Sequence, residues 1–235
     1  MSKTETNPPG RRRTASGQRV GVRELSAQAT RASILNAAIK VFAKSGYAGG
    51  RVEQISKTAK SFDRMIYYYF GSKEKLFIAA LEEIYRRFCE AEAKVIFNAD
   101  HPIESLRTVV LFTWTYYQKH PEFITLLNSE NLHRGRHISK SMRAREYSGA
   151  AISILDTVLK SGVEKGVFRA DVQARDVYLM IASMGYFYLS NRFTLSAFLG
   201  ENLEAAPALA HWENFITQAV LRVVSPATTA APWPS

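Results

Sequence analysis

The 235-residue chain is short of several features that define whole classes of protein. It has one cysteine, Cys89, so no intrachain disulfide framework is possible, and a reducing, cytoplasmic compartment is expected. No apolar run approaches the roughly 20 residues needed to span a bilayer. The longest candidate, VYLMIASMGYFYL at 177–189, reads as a buried helix or an interface. The N-terminus is arginine-rich and lacks the apolar segment of a secretory signal. There is no HExxH-type metal spacing, and His101, His120, His133, His137 and His211 are scattered. His133 and His137 stand four apart, as two ligands on one helix would. Gly135 lies between them, and no cysteine or carboxylate is placed to complete a site. A glycine-rich phosphate loop is missing, and Cys89 has no base beside it in the sequence. These gaps argue against an enzyme, a metal, a cofactor and a membrane partner. Hairpin signals and alternating runs are also missing, as is any repeat at a solenoid period. The expected fold class is all-α.

What is present is a charge asymmetry. The net charge is +10. Residues 1–27 hold six Lys/Arg against two Asp/Glu, and residues 28–75 hold nine against three. Residues 76–235 hold sixteen of each. All the positive excess therefore lies in the first third, which suggests a polyanion-facing front and a neutral body.

Residues 1–27 are rich in Pro, Gly, Ser and Arg and read as a disordered basic arm. Arg11, Arg12 and Arg13 fit either a solvated tail or an arm that tracks phosphates. Helical periodicity begins near Thr30, with Ile34, Leu35, Ala38, Val41 and Phe42 on one face, and stops at Gly46. A short segment at 51–59 follows, with Val52, Ile55 and Ala59 on one side. Next comes FDRMIYYYF at 62–70, and then GSKEKLF, where Ser72 is a plausible N-cap. Beyond it, helices are expected over 102–119 with Asp100 as cap, from Pro121 to about Leu132, and over 139–165 ending at Gly166. Two more are expected over 173–190 and about 205–224, and residues 226–235 read as a disordered tail.

At about 100° per residue, Phe62, Ile66, Tyr69 and Phe70 of 62–70 share one face, with Met65 beside them. Arg64, Tyr67 and Tyr68 share the opposite face, and Asp63 sits on the border. A short helix with a basic, aromatic outer face suits a DNA duplex, because tyrosine hydroxyls and arginine reach phosphates and base edges. With the helix before it, this segment makes a helix-turn-helix, whose second helix enters the major groove.

Residues 30–81 resemble the N-terminal domain of the TetR family of bacterial repressors. The matching elements are TR..IL.AA, F...GY, V..I and Y.YF.SKE.L, in that order. The resemblance implies an all-helical homodimer that binds a palindromic operator and is loosened from it by a small molecule in the body. By position, Tyr67 matches the family's recognition-helix tyrosine. Lys73 matches the lysine opening the next helix, where free backbone N–H groups also hold phosphate. Arg51 lies where the family places a phosphate-side Ser or Thr. The chain departs from the pattern at Lys60, which stands in place of the turn glycine. A second departure is Phe62, where the family has a capping Ser or Thr, so Ser61 is expected to cap one residue earlier. Asp63 would either accept from a cytosine amino group or support the positive helix N-terminus. The expected DNA-binding set is Arg51, Lys60, Ser61, Arg64, Tyr67, Tyr68 and Lys73.

The body must bury a core, a dimer surface and an effector site. The expected ligand residues are Phe88, Phe112, Tyr116, Glu130, Asn131, Arg134, Met184, Tyr188 and Arg192, a set of apolar walls with a few polar groups. Arg134 or Arg192 would hold a ligand carboxylate. The last two long helices are the expected dimer seam, through Val177, Met180, Ile181, Met184 and Tyr188, then Leu209, Trp212, Ile216 and Val220. The division is thus a basic arm at 1–27, a DNA-binding domain at 28–75, an effector and dimerisation domain at 76–225 and a tail at 226–235. The expected function is a ligand-responsive repressor. A non-specific DNA-compacting protein without an effector is the alternative.

Overall fold

The computed structural model describes residues 16–98 and 100–226; the side chains of residues 16–23, 144, 145 and 148–151 lie outside that description. The described residues form α1 (Ser16–Gly49), α2 (Val52–Thr58), α3 (Asp63–Phe70), α4 (Lys73–Glu92), α5 (Pro102–Lys119), α6 (Pro121–Leu132), α7 (Ala144–Glu164), α8 (Ala174–Leu199) and α9 (Ala206–Val224). A single 3₁₀ turn, Ile138–Lys140, lies between α6 and α7, and no strand occurs among the described residues.

Local chemistry sets most of these boundaries. The Ser72 hydroxyl accepts from the Lys75 N–H at 3.1 Å and starts α4 as expected. Pro102 and Pro121 open α5 and α6, where a missing N–H costs nothing. Helical geometry in α1 breaks at Gly46, with φ 65° and ψ 179°. Gly50 is required for space, because a Cβ there would stand 2.5 Å from the Phe42 ring.

Four expectations are corrected. Residues 16–27, read as part of a disordered arm, are helical, because extending an existing helix is far cheaper than nucleating one. Residues 1–15, including Arg11, Arg12 and Arg13, lie outside the described residues, as does the tail from residue 227. Asp100 does not cap α5. The cap position is His101, and the Asp100 carboxylate meets Lys165 Nζ at 3.2 Å. The segment 139–165 is not one helix. The Ser141 hydroxyl accepts from the Arg143 N–H at 3.1 Å and donates to Glu82 at 2.6 Å, which holds the chain extended before α7. Finally, α8 continues past 190 to Leu199, because no residue breaks it before left-handed Gly200 (φ 69°).

The core is continuous from front to body. Ile34, Ala38 and Phe42 of α1 close over Val52 and Ile55 of α2, Ile66 and Phe70 of α3, and Leu76 and Phe77 of α4. The expected domain boundary at 75/76 falls inside α4, so one rigid helix belongs to both parts. In the body an aromatic cluster forms around Phe88, whose ring lies 4.9 Å from Tyr116 and 5.5 Å from Phe112.

Candidate nucleic-acid interface

The turn between α2 and α3 is tight and locally costly. Lys60 has φ 52°, the left-handed conformation usually given to glycine, at an expense of about 1 kcal/mol. Two bonds hold the turn there: the Ser33 hydroxyl donates to the Ala59 carbonyl at 3.1 Å, and the Ser61 N–H donates to the Ser56 carbonyl at 2.9 Å. Ser61 does not cap α3. The cap position is extended Phe62, which offers no side-chain acceptor. The first N–H groups of α3 are therefore not met by a capping side chain, and Asp63 stands in that first turn.

The tyrosines divide as their spacing predicts. Tyr67 is 52% exposed and Tyr68 77% exposed, whereas Ile66 and Phe70 are buried and Tyr69 and Met65 are half-buried. Phe62 is the exception, since it was expected inside and is 69% exposed. It precedes the helix, so the helical wheel does not govern its direction. Its ring instead lies beneath the Arg64 guanidinium at 5.4 Å. Arg64, Tyr67 and Tyr68 thus form one exposed face, with Lys60 exposed at the turn and Arg51 exposed ahead of α2.

Lys73 has a partner within the chain. Its Nζ donates to the Ala48 carbonyl at 3.3 Å and sits 5.0 Å from the Tyr47 ring centroid. Partial burial lowers its pKa, although Glu53 acts in the opposite direction. Sequence reasoning passed over Arg31, the arginine of the opening TR pair, whose guanidinium lies 4.8 Å from the Phe70 ring centroid.

Tyr47 is also the joint to the body. Its ring lies 4.3 Å from that of His137 and 5.0 Å from that of Phe77, and its N–H donates to Ser129 Oγ at 3.1 Å. Beneath it Glu130 is fully used. Its Oε1 accepts from the N–H groups of His137 (2.7 Å) and Ile138 (2.9 Å), and its Oε2 meets His137 Nδ1 at 2.7 Å.

The expected ligand residues do not converge on one site. Phe88, Phe112 and Tyr116 belong to the aromatic core. Glu130 anchors the 3₁₀ turn, so it is not free to meet a ligand. Asn131 is exposed and donates to the Tyr186 hydroxyl at 3.2 Å, and Arg134 is exposed with φ 58°. The buried Tyr188 hydroxyl donates to the Leu203 carbonyl at 2.9 Å, and the Met184 carbonyl accepts from Trp212 Nε1 at 3.3 Å. Arg192 is already paired, with Glu204 at 3.0 Å, beside a cleft of about 240 Å³ that Tyr117, Leu189 and Leu209 also line. The expected dimer seam is corrected in part: Val177, Ile181, Tyr188, Ile216 and Val220 are buried within the chain, whereas Met180, Met184, Leu209 and Trp212 are half-buried. The large apolar groups that α8 and α9 leave exposed are others, among them Leu179, Phe187, Phe193, Phe198 and Phe215. Sequence reasoning gave no weight to Glu92, which is buried at the end of α4.

Comparison with known proteins agrees with this geometry. The profile of bacterial regulatory proteins of the tetR family matches residues 34–80, and that of the tetracyclin repressor-like C-terminal domain matches residues 102–220. The chain is 53% identical over 205 residues to the HTH-type transcriptional repressor NicS of Pseudomonas putida, covering 87% of this chain and 97% of that one. In structure it is similar to a TetR transcription regulator from Haloarcula marismortui, with a TM-score of 0.64 and 19% identity over 84% of this chain and 98% of that one. It is also similar to the regulator FadR of Bacillus subtilis in complex with stearoyl-CoA, with a TM-score of 0.58 and 19% identity over 80% of this chain and 96% of that one. These matches show the family: the chain belongs to the TetR family of helix-turn-helix transcriptional regulators. The DNA-compacting alternative is set aside.

Proposed function

We propose that this protein is a cytoplasmic repressor that binds a palindromic operator as a homodimer and is released by a small molecule held in its helical body. The observation that carries the reading is the exposed Arg64, Tyr67 and Tyr68 face on the second helix of the helix-turn-helix, set in the positively charged third of the chain. Arg51 and Lys60 flank that face and would meet phosphates, with the Ser61 region setting the entry angle of α3. Lys73 would reach phosphate by leaving the Ala48 carbonyl, or hold α4 in place from where it stands. The exposed rings of α8 and α9, Phe187 and Phe215 among them, are the surface on which two copies would pair. The body would hold the effector; the regulator FadR of Bacillus subtilis, similar in fold, is in complex with stearoyl-CoA. The joint of Tyr47 on His137 would carry its effect to the front.

The test is binding of the purified protein to DNA flanking its own coding region against scrambled DNA at about 150 mM salt. Specific regulation predicts discrimination of roughly 10³-fold or more; equal affinity for both DNAs would sink it. Tyr67→Ala should weaken operator binding by about 10-fold to 100-fold while the circular dichroism spectrum is unchanged. Undiminished affinity would remove Tyr67 from the reading face.

A further inference from the structure

The first helix is longer than its core requires. It begins at Ser16, yet none of the side chains at residues 24–33 is buried, and burial starts only at Ile34. Residues 16–33 therefore run ahead of the core as a helix about 27 Å long. Gly17 and Gly21 lower its intrinsic helicity, and an unpacked helix of this length is marginal in water. Its charge is one-sided: Arg19, Arg23 and Arg31 stand against Glu24 alone. Over residues 1–33 there are seven Lys/Arg against two Asp/Glu.

Two contacts fix where this run leaves the front. The Arg31 guanidinium lies 4.8 Å from the ring centroid of Phe70, the last residue of α3. The Ser33 hydroxyl donates to the Ala59 carbonyl at 3.1 Å, next to Lys60 in the turn. The run thus joins the front beside both the turn and the end of α3, at the rim of the helix-turn-helix. Arg31 is exposed, and no carboxylate among the described residues pairs with it, whereas Arg86, Arg87 and Arg192 of the body each have one. A cation–π contact uses the flat face of a guanidinium and leaves its N–H donors unspent. A held guanidinium with free donors, beside a DNA-facing helix, suits a phosphate. Pairing with the same run of a second copy would bring like charges together. Leu25, 66% exposed, is the one large apolar side chain among residues 24–33, too little for a helix seam. A DNA duplex instead offers one negative charge about every 1.7 Å of its axis.

We propose that residues 16–33 of α1 are a second DNA contact, an arm that follows the phosphates beside those met by α3, with Arg31 as its fixed end. The proposal rests on the reading that the α3 face meets DNA, and it adds a grip that carries no sequence information of its own.

The test uses the full-length protein and a long duplex of scrambled sequence, since phosphate contacts do not depend on the operator. Binding is measured by fluorescence anisotropy across a salt series for the wild type, Arg31→Gln, Arg31→Lys, the double variant Arg19→Gln with Arg23→Gln, and Leu25→Ser. The slope of log affinity against log salt should shrink by about 1 for Arg31→Gln and by about 2 for the double variant. Arg31→Lys should keep the wild-type slope, which separates lost charge from lost stacking on Phe70, and Leu25→Ser should bind as the wild type does. A wild-type slope in either arginine-to-glutamine variant would overturn the proposal. So would a Leu25→Ser variant that loses as much affinity as they do, because that result assigns the run to packing. A wild type that binds no duplex would defeat the DNA reading as well, whereas tight wild-type binding with unaltered slopes defeats only the arm.

Discussion

Two helix ends in the body invite comparison. Glu130 near the end of α6 and Glu92 at the end of α4 are equally buried, each 3% exposed. Glu130 has three donors within 2.9 Å and ties the 3₁₀ turn and His137 beneath Tyr47. Glu92 has no donor on its Oε2. Equal burial therefore hides opposite roles. Hydrogen-bond accounting, rather than depth, separates an acid that holds the structure together from one that costs stability.

The largest effect should come from Glu130→Ala. It strands the buried His137 N–H, the half-buried Ile138 N–H and the His137 ring nitrogen, and should lower unfolding free energy by about 3–5 kcal/mol in urea denaturation. A loss below about 1 kcal/mol would mean that the joint is held by the rings of Tyr47, Phe77 and His137 rather than by the acid. Next is the pH dependence of Glu92. Its folded pKa of about 7 lies above its ordinary 4.5, so the folded state binds the extra proton between those values. Stability should then fall as pH rises through that window, by roughly 3 kcal/mol in total. Glu92→Gln should flatten that slope, and a slope that survives would assign it to other groups. The smallest effect is expected at Lys60, a second residue that costs stability, here at the front. Lys60→Gly should raise stability by about 1 kcal/mol by relieving the left-handed strain, while weakening operator binding through the lost charge. Unchanged operator affinity would leave Lys60 as a strained residue without a role.

The front was largely legible from sequence because its signals are local. Helical period placed Tyr67 and Tyr68 outside and Ile66 and Phe70 inside, and Ser72 was visible as a cap. The period failed at Phe62, where the helix had not yet begun. In the body, the starts of α5 and α6 followed from Pro102 and Pro121, but the side-chain roles did not follow from anything nearby. Arg192 looked available until Glu204, twelve positions on, proved to be its partner. Glu130 looked like a ligand group until the turn after α6 folded back on it. The apolar stripes of α8 and α9 were visible, but a stripe does not tell whether it faces its own chain or a second copy.

By itself, then, the sequence determined the all-helical class, the helix-turn-helix and the direction of its outer face. These depend on propensity, period and charge within a few turns of chain. Only the tertiary structure decided which buried groups are satisfied. That depends on donors brought from distant positions, and it is why Glu130 is tied down and Glu92 is not.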